Sequence, residues 1–215
     1  MARQPVWYDD YWLLLMQLYL KKPVGVKPLY SKGLVDLAME LHVHPRCLRR
    51  MMIRLDEMEA PGVKSMLDRY ARNPRRLARE VEKLRGMSGF GDSESFYEGV
   101  AVNESFEKSF RPLPGYEPLT EVMLVLILDL YFRLTPQTMV TETPEVADMA
   151  KLLRISSAMV VQALRAYCLC DPCLNIKNIE DNPFMEPCRM VWTQHASMEP
   201  NELSAKAEAL KDYFL

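Results

Sequence analysis

Leu13-Leu14-Leu15-Met16-Gln17-Leu18-Tyr19-Leu20 is matched, 112 positions later and without a gap, by Val125-Leu126-Ile127-Leu128-Asp129-Leu130-Tyr131-Phe132. The same offset lays Leu34-Val35-Asp36-Leu37-Ala38 over Val146-Ala147-Asp148-Met149-Ala150, and Leu41-His42-Val43 over Leu153-Arg154-Ile155. Identities are few, yet the apolar pattern keeps its register across the stretch between the blocks. Solenoid units run about 20–50 residues, so a repeat of this length points to two similar small domains. A chain of 215 residues, 49% of them apolar, is long enough to give each a core.

Two runs, Trp12–Leu20 and Val122–Leu130, are conspicuously apolar. Both fall short of the roughly 20 residues that span a bilayer, so they read as core helices and no membrane partner is expected. Met1-Ala2-Arg3-Gln4-Pro5 is followed at once by Tyr8-Asp9-Asp10-Tyr11, and acidic residues there argue against an export signal. Five cysteines, an odd number, then fit reduced thiols in a cytoplasm.

The net charge of −2 conceals an asymmetry. Residues 1–86 carry 17 Lys/Arg against 10 Asp/Glu, a balance of +7, whereas residues 87–215 carry 10 against 19, a balance of −9. Such a split suggests an anionic partner for the first half. The alternative is that the two halves dock on each other.

Proline and glycine divide the chain into three parts: a unit over 1–86, a linker segment over 87–118 and a unit over 119–215. In the first, a helix from Pro5 to Leu20 ends at the proline-rich run Lys21–Pro28. Ser31 caps a second helix through Leu41, and His44-Pro45 opens a third that runs to Met58. Ala60-Pro61-Gly62 stops it, and Asn73-Pro74 starts a helix over Arg75–Arg85. The linker opens on a flexible stretch, Gly86–Ser93, and Phe96, Tyr97, Phe106 and Phe110 suggest that the remainder lies against a domain, with a short strand over Phe96–Val102. The second unit repeats the plan. Helices are expected over Leu119–Leu134, from Thr143-Pro144 to Leu153, from Ser156 to Cys168 and, after a proline-punctuated stretch, over Asn201–Phe214.

Leu37-Ala38-Met39-Glu40-Leu41-His42-Val43-His44-Pro45-Arg46-Cys47-Leu48 and Met149-Ala150-Lys151-Leu152-Leu153-Arg154-Ile155-Ser156-Ser157-Ala158-Met159-Val160 resemble the bihelical motif of the helix–turn–helix and winged-helix regulators. The alanine lets two helices cross closely, and apolar residues on either side of a tight turn pin the crossing. The turn position, commonly glycine in that superfamily, is His42 in one copy and Arg154 in the other, which requires a non-glycine residue at positive φ. The resemblance covers roughly 50 residues of each half. It implies a mainly α-helical fold of two duplicated helix–turn–helix units, with small β wings, and a DNA-binding transcriptional regulator with double-stranded DNA as partner.

With Leu48, Met52 and Leu55 facing inward, helical spacing turns Arg46, Arg49, Arg50 and Ile53 outward. The resemblance places such a helix in the major groove, where arginine grips phosphate or bonds guanine. Lys32, His44 and Arg54 would flank it, and Arg72, Arg75 and Arg79 form a further basic stripe, unless Glu80 and Glu82 pair with it. The equivalent outward set in the second unit, Ala158, Val161, Gln162 and Arg165, is largely uncharged and suits a protein partner or self-association. The alternative function is therefore a protein–protein interaction module without DNA binding.

Cys168, Cys170 and Cys173, with Cys188 and His195 downstream, have a superficial likeness to a zinc site. Only one close set exists, and buried structural cysteines are the simpler reading. No nucleophile–base constellation is visible, so neither an enzyme nor a cofactor is expected.

Overall fold

The two apolar runs become the central helices of two units, Met1–Glu104 and Ser105–Leu215. A computed structural model describes residue 7 and residues 9–59, 62–87, 90, 105–174 and 182–215. The expected strand over Phe96–Val102 lies outside the described residues.

In the first unit α1 (Tyr11–Leu20) buries Trp12, Leu14, Leu15, Met16 and Leu18, an arc too wide for one face. It is accordingly surrounded by α2 (Lys32–Leu41), α3 (Pro45–Asp56), α4 (Val63–Ala71) and α5 (Pro74–Arg85). Gly33 on α2 sits where a Cβ would come within 2.8 Å of Leu18 Cδ1, so glycine lets α2 approach α1 closely. Arg85, at the end of α5, grips Glu40 of α2 through two hydrogen bonds of 2.6 and 2.8 Å.

The second unit comprises α6 (Ser105–Phe110), α7 (Glu121–Arg133), a 3-10 turn over Pro136–Thr138, α8 (Pro144–Leu153), α9 (Ser157–Cys170), α10 (Met185–His195) and α11 (Pro200–Lys211). Here α7 buries every residue from Leu124 to Tyr131 and packs against α6, α8, α9, α10 and α11. The protein is mainly α-helical. Among the described residues there is no strand, only an isolated antiparallel bridge between Pro112 and Thr120, so the expected β wings have no counterpart there.

Three expectations need revision. Residues 105–118 fold with the second unit rather than serving as linker: Phe106 and Phe110 are buried, and the Phe110 ring meets Tyr213 edge-on at 4.9 Å. With the boundary at Glu104, the first unit carries 17 Lys/Arg against 14 Asp/Glu, which reduces its surplus to +3. The stretches between the third and last helices of each unit, to which no helix is assigned from the sequence, each contain one, α4 and α10. Pro187 obscured α10, yet it occupies the third helical position, where the N–H it lacks would have no intrahelical acceptor.

The turns of α2–α3 and α8–α9 agree in their backbone torsions and backbone hydrogen bonds. His42 has φ 50° and ψ 38°, and Arg154 has φ 58° and ψ 39°. Val43 N–H donates to Ala38 O at 3.0 Å, as Ile155 N–H does to Ala150 O at 3.1 Å. The next residue caps each second helix, His44 Nδ1 accepting from Arg46 N–H and Ser156 Oγ from Met159 N–H. The 110° bend between α8 and α9 follows from that turn. A further parallel joins helix ends: Tyr19 Oη donates to Asp56 at 2.5 Å, and Tyr131 Oη to Asp171 at 2.7 Å.

Candidate nucleic-acid interface

The outer face of α3 is prepared by its first turn. Pro45 stands at the first helical position and His44 caps it with an imidazole nitrogen 3.1 Å from the Arg46 amide. Burial, and secondarily the Arg46 charge, hold the His44 pKa below its usual value, which favours the neutral ring that can accept this bond. Leu48, Met51, Met52 and Leu55 are buried, with Leu48, Met52 and Leu55 fully so. Four buried positions at helical spacing leave the opposite side to solvent. Arg46, Arg49, Arg50 and Arg54 are exposed there, and Ile53 is half-buried.

Arg46, Arg49, Arg50 and Ile53 share a shallow pocket of about 250 Å³ with Leu29. Leu29 comes from the loop before α2, which Lys27 holds in place. Lys27 is 8% exposed; its backbone N–H points to Met52 Sδ at 3.2 Å on α3. Its ammonium donates to Tyr19 O at 3.4 Å, to Lys21 O at 2.6 Å and to Pro23 O, satisfying carbonyls at the end of α1. Burial, then the nearby Lys21 charge, lower its pKa. Sequence reasoning missed both residues, because a lysine between two prolines reads as a solvated loop; the only signal was its place just beyond an uncapped helix end.

Arg46, Arg49 and Arg50 form no ion pair among the described residues, although Arg50 Nη2 lies 3.7 Å from Cys47 Sγ. Lys32 differs: its ammonium is 3.2 Å from Asp36 in an exposed i,i+4 pair, which is weak enough to exchange for another anion. Arg72, Arg75 and Arg79 are exposed at the end of α4 and along α5, and among the described residues neither Glu80 nor Glu82 pairs with Arg75 or Arg79. The structure thus gathers Arg46, Arg49 and Arg50 into one pocket and leaves Arg72, Arg75 and Arg79 on other helices.

In the second unit the corresponding face is partly closed. Ala158 and Gln162 are exposed, but Val161, expected to face outward, is only 6% exposed. The Gln162 carbonyl accepts a 2.8 Å hydrogen bond from Asn182 Nδ2, and Phe184 beside Asn182 is buried. Helix α10 packs closely on α9, with Cys188 Sγ directed at Ala163 O from 3.8 Å. The run Met159–Tyr167 is apolar almost all round, and helical spacing could not say which second side would be covered.

The cysteines do not converge. Among the described residues no group of three or more His, Cys, Asp or Glu is placed to hold a metal. Burial raises the pKa of Cys168 and Cys170 and pushes Cys188 up to about 12, which disfavours a reactive thiolate at these positions in the metal-free protein. No single helix among the described residues is long and apolar enough to cross a membrane. No protein-family model, curated protein or solved structure matches the chain at a significant level.

Proposed function

We propose that this chain is a DNA-binding transcriptional regulator built of two helix–turn–helix units related by internal duplication. The first unit contacts double-stranded DNA through α3, and the second mediates protein contacts or self-association. One observation carries the reading: three exposed arginines line one pocket on the outer side of a helix that follows a tight bihelical turn. In such motifs that helix enters the major groove with its first turns at the base edges. The agreement of the two turns in torsion and backbone hydrogen bonding, and the like placement of the Tyr19–Asp56 and Tyr131–Asp171 pairs, support the duplication.

The test is binding to mixed-sequence duplex DNA, followed by fluorescence anisotropy at low and moderate salt. Micromolar, salt-sensitive binding is expected, and the Arg46→Glu, Arg49→Glu, Arg50→Glu triple variant should lose it without a fall in melting temperature, since all three side chains are exposed. Binding that survives the triple change would mean that α3 is not the reader. A second reading, a protein-interaction module without DNA binding, is favoured by Phe132 and Met190 of the second unit, 47% and 48% exposed. Its interface would hold or tighten as salt rises, where a phosphate interface weakens.

A further inference from the structure

The pocket on α3 has two chemistries. Arg46, Arg49 and Arg50 line it with cationic side chains, while Leu29 and Ile53 line it with aliphatic ones. Phosphate needs only the first of these. An anion seated against Leu29 and Ile53 would give up hydration without gaining partners from them. Among the groups exposed on base edges in the major groove, the thymine 5-methyl is the apolar one, and arginine pairs best with guanine O6 and N7. Ile53 follows Arg50 and Arg49 by three and four residues, which places it about 4.5–6 Å along the helix. That is one to two base steps of about 3.4 Å. Both chemistries can therefore meet neighbouring base pairs at once.

We infer that the α3 pocket reads thymine, seating its 5-methyl against Ile53 and Leu29 beside a guanine held by the arginines. This rests on the DNA-binding reading and adds the class of sequence recognised. Ile53 and Leu29 are specificity residues, and the arginines supply the attraction. Lys27 acts through Leu29 by fixing its loop to α1 and α3.

The experiment enriches duplexes from a random pool with the full chain, then replaces each thymine of the enriched sites singly by uracil, which removes only the methyl. At one or more positions the replacement should weaken the wild-type protein about fourfold, the factor expected for burying one methyl-sized group. Ile53→Ala and Leu29→Ala should bind thymine and uracil duplexes with equal affinity, both about as weakly as the wild type binds the uracil duplex, and an unchanged far-ultraviolet circular dichroism spectrum shows that they are folded. Uracil duplexes that bind the wild type as tightly as thymine duplexes overturn the inference and leave the DNA-binding reading intact. So does discrimination that persists undiminished in both variants. Failure to enrich any duplex overturns both.

Discussion

His42 and Arg154 sit in the left-handed region, where an L side chain costs about 1–2 kcal/mol and glycine almost nothing. Glycine also loses more backbone entropy on folding, so the gain from substitution is smaller than that cost. Arg154 is exposed, and Arg154→Gly should stabilise the protein by about 0.5–1 kcal/mol, read as a higher denaturant midpoint. His42→Gly should gain less, because the half-buried imidazole is lost with it. A destabilised Arg154→Gly would show that the arginine side chain holds the turn. His195 gives the pH dependence. It is 8% exposed, its Nδ1 has no hydrogen-bond partner among the described residues, and burial, then Lys206, lower its pKa. The unfolded imidazole takes up a proton near pH 6.5 while the native one resists, so the unfolded state binds more protons as pH falls through that value. Stability is therefore lost from about pH 6.5 downward, and His44, shifted the same way, adds to the slope. Denaturant midpoints at pH 7.5 and 5.5 should diverge in the wild type and less so in His195→Leu; an unchanged difference would remove His195 from the account.

At the scale of elements, the tyrosine–aspartate links tie the end of each central helix to the end of the helix after the turn. Tyr131 is buried, and burial first, then its hydrogen bond to Asp171, raises its pKa strongly. Tyr131→Phe should cost about 1.5–3 kcal/mol, the range for a hydrogen bond to a charged group. Tyr19, whose hydroxyl pKa is pushed up to about 12 chiefly by the bond to Asp56, is more exposed, and Tyr19→Phe should cost less. Equal losses, measured by urea unfolding, would contradict the difference in burial. Element positions were largely legible, since His44-Pro45, Thr143-Pro144 and Ser156 mark starts by cap or N1-proline chemistry that acts locally, whereas Ser31 holds the N-cap position of α2 without the expected side-chain capping bond. α4 and α10 were not, because short helices among prolines and charges owe their stability to packing on α1 and α7.

For the whole molecule, a net charge of −2 gives no general attraction to a polyanion, so any duplex binding must come from the local field of the first unit. Each phosphate neutralised contributes about −0.9 to the slope of log K against log salt. Contacts confined to Arg46, Arg49 and Arg50 predict a slope no steeper than about −3. Participation of Arg72, Arg75 and Arg79 would steepen it by about one per residue, and their replacement by Glu would then lower affinity uniformly across sequences. A slope near zero would exclude phosphate contact altogether.

The helical class, the two-fold repetition of the apolar pattern, the positive-φ turns at His42 and Arg154 and the outward set on α3 were all legible in the linear order of residues. Each depends on periodicity or on the chemistry of adjacent residues, which a linear chain carries in full. Packing in three dimensions joins residues 105–118 to the second unit, buries Val161 and brings Leu29 to the α3 face through a lysine holding carbonyls of another segment. Those outcomes turn on which second surface covers a helix and where a loop returns. Segments far apart in the chain settle them by competing to bury apolar area, and the spacing of residues within any one segment does not encode the result.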